Sequence, residues 1–297
     1  MSSYQFWPAP AKLNLFLQIT GQRDDGYHNL QTVFQFLDVA DRLRFVVSDN
    51  GKIVRKTDNE GVKPEDDLVV KAAKALQLAT ATDKGADIYL QKILPMGGGL
   101  GGGSSDAATT LVVLNHLWGT GLDINALAEI GLGLGADVPV FIYGHAAFAQ
   151  GVGEIIEEIS PEESWYLVVQ PEVHVSTSEI FNNSQLTRDC SAIRICDLQI
   201  GTTNEEQVFD ELGNVFEPIV AKQYPEIAEV IQYLRKYSNA RLTGTGACVF
   251  ATFESKEAAQ DVLAKLPDYW TAFVAKGLNR SPLQVKLAAV ESDQKEN

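Results

Sequence analysis

Six of the seven residues from Gly97 to Gly103 are glycine, and this segment leads directly into a helical pattern that starts at Ser104. Glycines remove side chains, so that backbone N–H groups can approach a ligand closely, and the N-terminus of a helix attracts anions. The combination predicts an anion-binding loop, most naturally a loop for phosphate. A flexible linker or a tight packing turn is the alternative, although flexible linkers seldom lead into a capped helix.

Three familiar phosphate loops do not fit this segment. The Walker A pattern G-x-x-x-x-G-K-[ST] is absent from the sequence. Gly97, Gly99 and Gly102 satisfy G-x-G-x-x-G, and Asp123 follows at about the 20-residue distance of the dinucleotide-binding pattern. Asp123, however, starts a helix instead of ending a second strand, so the dinucleotide context fails. The H-R-D, D-F-G and V-A-I-K motifs of protein kinases are absent as well.

The charge of the chain limits its partners. With 24 Lys and Arg against 39 Asp and Glu, the 297-residue sequence has a formal net charge of −15. Nucleic-acid backbones and anionic lipid surfaces attract basic patches, which this composition disfavours. We therefore expect no nucleic-acid partner and no membrane partner. No apolar run approaches the roughly 18–20 residues that cross a bilayer, and no signal peptide is recognisable.

Cysteine and histidine patterns indicate a reducing compartment and no structural metal. Cys190, Cys196 and Cys248 form neither an even disulfide framework nor a C-x-x-C pair. The four histidines do not stand at zinc-ligand spacing from one another or from a cysteine. The expectation is a cytoplasmic protein, and the sequence alone supports no particular metal-ligating residue.

Hydrophobic periodicity predicts alternating strands and helices. Apolar residues at period two predict a half-buried strand over 12–20. Further predicted strands are 43–48, 86–90, 146–150, 154–159, 166–170, 240–242, 247–253 and 269–275. Predicted helices are 68–76, 104–118, 123–132, 205–222, 225–237 and 256–266, with Asp67 (or Asp66) and Asp123 capping the first and third.

The order of these elements predicts an α+β protein with helices on an antiparallel sheet. The length corresponds to about two domains at roughly 150 residues each. We place the domains at residues 1–160 and 161–290, followed by a frayed tail at 291–297.

Three segments together resemble the signature regions of the GHMP small-molecule kinases. They are PAKLNLFLQITGQRDDGYHNLQTVFQ (10–35), LPMGGGLGGGSSDAA (94–108) and RLTGTGACVFATF (241–253). GADVPVF (135–141), HAAFAQGVGE (145–154) and FVAKGLNRSPL (273–283) also resemble that family, and the resemblance is weakest over 182–222. It implies the two-domain GHMP fold: an N-terminal nucleotide-binding domain (ribosomal protein S5 domain 2-like), a C-terminal ferredoxin-like α/β sandwich, and an active site in the cleft between them.

Within the family, the resemblance is strongest to members that act on a cytidine diphosphate alcohol. It implies ATP-dependent phosphorylation of the 2-hydroxyl of 4-diphosphocytidyl-2-C-methyl-D-erythritol in non-mevalonate isoprenoid synthesis, with Mg²⁺, by a monomer or weak homodimer. Lys12 and Asp137 match the catalytic pair, Asp137 receiving or orienting the hydroxyl proton and Lys12 compensating charge. Without the flanking motifs, a snorkelling strand lysine and a turn or helix-cap carboxylate are the favoured interpretations.

The resemblance also assigns the nucleotide site. The residues that match it are Lys92, Pro95, Met96, Gly97, Gly98, Gly99, Leu100, Gly101, Gly102, Gly103, Ser104, Ser105, Asp67 and Leu68. Asp67 stands where the family often has Asn, so that an amide donor near the adenine is lost. For Lys92, the alternative is an exposed lysine at the end of a strand.

The substrate site follows from the same resemblance. Its residues are Asn14, Tyr27, His28, Thr177, Phe181, Thr243, Gly244, Thr245 and Gly246. Tyr27 and Phe181 can stack on a flat base while His28 bonds its edge, although both aromatics also suit an ordinary core. The T-G-T-G turn alone is a weak signal. A kinase for homoserine or mevalonate, which would lack the cytosine pocket, and a non-catalytic nucleotide-binding protein, which would not need both Lys12 and Asp137, are the competing functions.

Overall fold

Strands and helices alternate along the chain in the computed structural model, which describes residues 5–58 and 61–295. The strands are β1 (Trp7–Gln22), β2 (His28–Ser48), β3 (Ile53–Arg55), β4 (Gly85–Gln91), β5 (Ala147–Gly151), β6 (Ile155–Glu158), β7 (Trp165–Gln170), β8 (Ala240–Leu242), β9 (Val249–Phe253) and β10 (Thr271–Leu278). The helices are α1 (Leu68–Thr80), α2 (Gly102–Trp118), α3 (Ile124–Leu132), α4 (Val138–Tyr143), α5 (Thr177–Phe181), α6 (Glu205–Leu212), α7 (Glu217–Gln223), α8 (Pro225–Leu234), α9 (Lys256–Leu263) and α10 (Pro282–Lys295). A 3-10 helix at Ile195–Leu198 lies between α5 and α6.

The sheet is built around β2. This strand is 21 residues long and pairs with β1, β4, β5 and β10. Within the described ranges the path β3-β4-β2-β10-β7-β9-β8 forms one sheet, with β1 and β5 paired to β2 and β6 paired to β5. All of these pairs are antiparallel except β3 with β4. Because β10 pairs with both β2 and β7, the sheet joins the first and second halves of the chain.

Buried side chains form three clusters, and β1 contributes to each of them. The first cluster packs α1 to α4 against β2 and β4 and includes Ala9. The second packs α7 to α9 against β7, β8 and β9 and includes Leu17 and Ile19. The third includes Leu13 and Leu15. Strand β1 therefore runs from the core of the first half to the core of the second half.

Strand β1 is buried on both faces, whereas its alternating pattern predicts a half-buried strand. Lys12 and Asn14 lie on the face opposite Leu13 and Leu15, and each is only 2% exposed. Successive side chains of a strand point to opposite faces, so the polar face must lie under another part of the chain. That part is the glycine-rich segment, because Lys12 N donates to Leu100 O at 3.0 Å.

Most predicted elements are present with shifted ends, and the α+β class and GHMP fold are confirmed. The caps at Asp67 and Asp123 are confirmed, because each carboxylate accepts a backbone N–H from the first turn of its helix. Helix α2 begins at Gly102, two residues before the predicted start at Ser104. No helix of the described residues has the length and apolar character needed to span a membrane.

The C-terminal helix returns to the first half of the chain. Helix α10 continues to Lys295, where the sequence predicts a frayed tail from residue 291. Its Leu283 belongs to the first hydrophobic cluster. Arg280, just before the helix, forms an isolated antiparallel β-bridge with His145. The division into residues 1–160 and 161–290 stays a prediction, and the end of the chain packs with the earlier of these two parts.

The helix predicted over 205–222 is wrong, because the chain breaks there into α6 and α7. Gly213 has a φ of +61°, and its carbonyl accepts Leu17 N at 2.9 Å. Asn214 then donates to Leu242 O at 2.8 Å and to Gly244 O at 2.9 Å. The break therefore attaches this segment to β1 and to the turn between β8 and β9, contacts that an amphipathic pattern does not reveal.

Asn214→Ala is expected to lower the free energy of unfolding by about 2–4 kcal/mol, because it leaves buried carbonyls and the Phe216 N–H without their partner. Urea unfolding measures the effect. Asn204→Ala is the matched control, since Asn204 is exposed and makes no side-chain capping bond. Equal losses of stability in the two variants would contradict the anchoring role of Asn214.

Candidate active site

A cavity of about 670 Å³ lies between the two halves of the chain. The predicted site residues that line it are Lys12, Asn14, Asp67, Leu68, Lys92, Pro95, Met96, Gly97, Gly98, Gly99, Leu100, Gly101, Gly102, Gly103, Ser104, Asp137, Thr177, Phe181, Gly244 and Thr245. The predicted site residues outside the lining are Tyr27, His28, Ser105, Thr243 and Gly246. One cavity thus brings together residues from both predicted domains.

The ammonium group of Lys12 is buried and has two hydrogen-bond acceptors and one ion-pair partner. Nζ donates to Asn14 Oδ1 at 2.6 Å and to Gly99 O at 3.0 Å, and it lies 3.3 Å from Asp137 Oδ2. The same nitrogen lies 5.2 Å from the ring centre of Phe34, on β2. Lys12 is therefore not a snorkelling lysine, because its charge faces inward.

The carboxylate of Asp137 faces the cavity. Asp137 occupies the N-cap position of α4, but its side chain makes no capping hydrogen bond. The side chain is 35% exposed, in contrast to the 3% of its partner Lys12. One carboxylate oxygen is near the lysine, while the group remains accessible from the cavity. The turn before α4 therefore serves to place this carboxylate and not to use it as a cap.

The glycines of the loop allow close backbone packing as well as ligand access. A Cβ on Gly99, whose φ is +75°, would lie 2.2 Å from Thr243 O, and one on Gly98 would lie 2.6 Å from Cys248 Sγ. The carbonyls of Gly97 and Gly98 accept the N–H groups of Ala247 and Cys248. The packing-turn interpretation therefore holds for this half of the loop, which is fastened to the T-G-T-G turn.

The other half of the loop forms the N-terminus of α2. Gly101 is the N-cap with a φ of +73°, and it supplies no side-chain cap. Gly102, Gly103 and Ser104 form the first turn and line the cavity. The first N–H groups of an α-helix have no partners within the helix, and they attract anions. This turn is the part of the loop that suits phosphate.

Lys92 lies in a buried charge cluster beside this turn and is not an exposed lysine. Its ammonium donates to the Asp41 carboxylate and to Asp106 Oδ2, the latter at 2.8 Å. Burial alone would lower the pKa of Lys92, but Asp106 and Asp41 outweigh burial and raise it. Asp41 also accepts the backbone N–H groups of Ile93 and Leu94. The fully buried Asp41 thereby fixes the chain just before the glycine loop.

Asp106 is the second carboxyl group of this cluster, and it is buried. Its Oδ1 atom is buried without a hydrogen-bond partner. The pKa of Asp106 is raised to about 8: burial and the nearby Asp41 raise it, and Lys92 partly opposes them. Two carboxylates around one ammonium exceed the charge that the ammonium can balance, so the second carboxylate retains its proton at higher pH.

Asp67 and Leu68 lie at another edge of the cavity. Both oxygens of Asp67 are engaged, because Oδ1 accepts Val69 N at the start of α1 and Oδ2 pairs with the buried Arg55. Arg55 also donates to Val62 O at 2.9 Å. Asp67 thus holds β3 against α1, and its predicted contact with the nucleotide stays a prediction.

An aromatic group borders the opposite part of the cavity. Phe181 packs edge-on against Phe216 with ring centres 4.8 Å apart, and its ring centre is 5.2 Å from that of His28. Both phenylalanines line the cavity, whereas His28 is buried and is not part of the lining. Tyr27 is 64% exposed and is not part of the lining. His28 is therefore buried beside Phe181, whereas its neighbour Tyr27 is exposed to solvent.

Hydroxyl and amide groups connect β1, α5 and the T-G-T-G turn. Asn14 N donates to Thr243 Oγ1 at 3.1 Å, and Asn14 Nδ2 donates to Thr32 Oγ1 at 3.0 Å. The hydroxyls of Thr177 and Thr245 are 2.9 Å apart. Asn14, which accepts from Lys12, is therefore itself fixed by Thr243. Thr177 and Thr245 line the cavity.

Asp41, Asp106, Asn214 and Phe216 are among the residues at or beside this site that sequence reasoning missed. Asp106 carried a usable signal, because it directly follows the two serines of the phosphate-type loop. Asp41 and Phe216 stand in ordinary strand and helix patterns, and Asn214 lies where a continuous helix is predicted. Only the long-range contacts of the folded chain show that these three residues adjoin the site.

Family models match both halves of the chain. The model described as GHMP kinases N terminal domain matches residues 67–145, and the model described as GHMP kinases C terminal matches residues 202–272. Among curated proteins, 4-diphosphocytidyl-2-C-methyl-D-erythritol kinase of Shewanella loihica is 52% identical over 95% of this chain and 96% of its own length. The protein of the same name from Pseudomonas syringae pv. syringae is 53% identical, with 94% and 96% covered.

Solved structures agree with these relatives. A crystal structure of 4-(cytidine 5'-diphospho)-2C-methyl-D-erythritol kinase superimposes with a TM-score of 0.76 at 29% identity, covering 92% of this chain and 99% of the other. A homoserine kinase from Cytophaga hutchinsonii shares the fold, with a TM-score of 0.69 at 17% identity, and covers 95% and 98%. The chain therefore belongs to the GHMP kinases and, among them, to the family of 4-diphosphocytidyl-2-C-methyl-D-erythritol kinases. It is a phosphotransferase.

Asp106→Asn is expected to flatten the pH dependence of stability. In the unfolded chain the carboxyl loses its proton near pH 4, but in the folded protein it does so near pH 8. Between these values the native state binds the additional proton, so the free energy of unfolding falls as the pH rises, by up to about 1.4 kcal/mol per pH unit.

Urea unfolding between about pH 5 and pH 8 measures this slope. Asparagine keeps the shape of the side chain but does not titrate, so the variant should lose less stability across this range than the wild type. Asp261→Asn, on the exposed side of α9, is the control and should keep the wild-type slope. Equal slopes for wild type and Asp106→Asn would contradict the raised pKa of Asp106.

Proposed function

We propose that the chain transfers the γ-phosphoryl group of ATP to the 2-hydroxyl of 4-diphosphocytidyl-2-C-methyl-D-erythritol, giving the 2-phosphate and ADP. This reaction belongs to the non-mevalonate synthesis of isoprenoid precursors. The observation that carries the proposal is the Lys12–Asp137 pair in a cavity lined at one side by a phosphate-type loop and at another by aromatic side chains. The names of the similar curated proteins support this choice of substrate.

Asp137 is the proposed proton acceptor of the reaction. Phosphoryl transfer depends mainly on positioning and on neutralising charge, so the enzyme needs a group that orients the attacking hydroxyl. The Asp137 carboxylate is accessible from the cavity and is not used as a helix cap. When the hydroxyl oxygen attacks the γ-phosphorus, its proton passes to this carboxylate. The bond between the γ-phosphorus and the bridging oxygen breaks, and ADP leaves.

Lys12 is the proposed electrostatic partner of this step. Its buried ammonium lies 3.3 Å from the carboxylate and is fixed by Asn14 and Gly99. A positive charge that is already positioned stabilises the charge on the transferring group without reorganisation during the reaction. The N–H groups at Gly102, Gly103 and Ser104 are the proposed contacts for the nucleotide phosphates, with Lys92 beside them.

The cavity suits a Mg²⁺ ion that arrives with ATP. The described residues contain no group of three or more His, Cys, Asp or Glu side chains able to hold a metal by itself. Mg²⁺ usually keeps several waters and binds one or two protein oxygens together with substrate phosphates. Ser104 lines the cavity and would supply such an oxygen. When bound, the ion neutralises charge on the phosphate groups.

The aromatic end is the proposed cytidine pocket. Phe181 presents its ring to the cavity and is backed by Phe216 and His28. Aromatic faces stack on flat rings at a favourable free energy, which suits cytosine. Tyr27 belongs to this proposal as a residue that would cover the base from the solvent side. Thr177, Thr245 and Gly244 line the path between this pocket and Lys12.

The proposal includes a monomer or weak homodimer in the cytoplasm. Cys190, Cys196 and Cys248 are free thiols, which is consistent with a reducing compartment.

A coupled assay of ADP release across a panel of alcohols tests the substrate. Turnover is expected with 4-diphosphocytidyl-2-C-methyl-D-erythritol and not with homoserine or mevalonate. The position of the new phosphate is read by ³¹P NMR of the product. Turnover with homoserine or mevalonate but none with the cytidyl alcohol would refute the proposal.

Asp137→Asn is expected to lower kcat at least about 100-fold, because the amide cannot accept the hydroxyl proton. The dissociation constant for ATP should stay nearly unchanged, since the phosphate-type loop is intact. Steady-state kinetics and nucleotide titration measure the two quantities. Asp261→Asn is the control, because Asp261 is exposed on α9 and is not part of the cavity lining. An unchanged kcat in Asp137→Asn would remove Asp137 from the mechanism.

A further inference from the structure

Arg188 lies in the irregular segment between α5 and the 3-10 helix, and its guanidinium group has four acceptors. Nη2 donates to Phe181 O at 2.8 Å and to Asn183 O at 3.0 Å, and Nη1 donates to Leu186 O at 3.1 Å. Nε donates to the ring nitrogen Nε2 of His28 at 3.0 Å. One side chain thus holds three carbonyls of the turn after α5 and one side chain of β2.

These contacts connect the two halves of the chain at the aromatic end of the cavity. Phe181, whose carbonyl accepts from Arg188, is the residue of α5 with an aromatic side chain in the cavity lining. His28 is the first residue of β2. All four acceptors are uncharged, and within the described residues no carboxylate forms an ion pair with Arg188. The arginine therefore acts through the geometry of its planar, five-donor fork and not through a salt bridge.

The contact with His28 also decides where the imidazole carries its proton. A guanidinium group only donates, so Nε2 must use its lone pair as the acceptor. A neutral imidazole has one donor and one acceptor nitrogen, which places the proton on Nδ1. Burial lowers the pKa of His28, and the charge of Arg188 lowers it further, so the neutral ring is the favoured form. The ring then has an Nδ1–H donor and a committed Nε2.

We propose that Arg188 is a positioning residue for the base of the cytidyl substrate, because it fixes the Phe181 wall and sets His28 in its Nδ1–H form. This inference rests on the proposed function for the substrate and adds a residue to it. Without Arg188, the turn after α5 loses three carbonyl contacts, and His28 can exchange its proton between the two ring nitrogens. Stacking and edge recognition of the base would then both weaken, while the phosphate-type loop stays intact.

Kinetics of Arg188→Met test the positioning role. The KM for the cytidyl alcohol should rise at least tenfold, while the KM for ATP stays within twofold, because the base end alone is disturbed. Arg188→Lys keeps the charge but not the planar fork, so it should fall between wild type and Arg188→Met. Arg194→Met is the matched control: Arg194 lies in the same segment, its side chain is 80% exposed, and among the described residues it forms an ion pair only with the neighbouring Asp197. This control should keep both wild-type KM values.

Long-range ¹H–¹⁵N spectra of the histidine ring test the second part without any substrate. The signals of His28 are assigned by their loss in His28→Asn. The wild type should show a protonated Nδ1 and an unprotonated Nε2, and Arg188→Lys and Arg188→Met should show averaged or reversed signals. The lysine variant keeps a cation at this position, so it provides the measurement if the methionine variant fails to fold.

Two outcomes would overturn the proposal: a wild-type His28 with its proton on Nε2, or an Arg188→Met protein whose KM for the cytidyl alcohol is unchanged. Failure of the proposed function is recognised separately, because wild type itself would then fail to turn over the cytidyl alcohol before any variant is compared.

Discussion

The site depends on one buried ammonium group, that of Lys12. Burying an unpaired charge costs a large amount of free energy, so such a group is stable only where acceptors surround it. For Lys12 those acceptors come from three different places: Asn14 on β1, the carbonyl of Gly99 in the glycine-rich segment, and Asp137 before α4. One cation therefore fixes the relative positions of a strand, a loop and a helix start.

The same network extends into the second half of the chain. The backbone N–H of Asn14 donates to Thr243 Oγ1. The turn that contains Thr243 packs so closely against the loop that Gly99 has no room for a side chain. Asn214 holds that turn from the other side through Leu242 O and Gly244 O. The Lys12–Asp137 pair is thus supported by contacts between residues more than 200 positions apart, through β1, the loop and the T-G-T-G turn.

A chain with a net charge of −15 can still bind two polyanionic substrates, because net charge and local charge are different quantities. Net charge affects extended surfaces and disfavours nucleic acid and anionic membranes. The cavity relies on backbone N–H groups of α2, on Lys12 and on Lys92, whose charge is shared with Asp41 and Asp106. A few positioned donors in the cavity can therefore favour anions although the chain as a whole is acidic.

The sequence predicts the fold class, the loop, the caps at Asp67 and Asp123, and most residues that line the cavity. These are local signals, carried by periodicity, by glycines or by contiguous motifs. It does not predict the break at Gly213, the outward position of Tyr27, or the clustering of Asp41 with Lys92 and Asp106. Each of these depends on which distant segments meet, and side-chain spacing along one element does not contain that information. The burial of Lys12 and Asn14 is of the same kind.

The account makes Lys12 and Asp137 a single functional unit, and a double-mutant cycle in kcat tests this most directly. Lys12→Met, Asp137→Asn and the double variant are compared with wild type in single-turnover experiments. If the pair acts as a unit, the double variant should be no more than about threefold slower than the slower single variant. If the two losses instead multiply, the residues act independently, and the central claim of a coupled lysine–aspartate pair is contradicted.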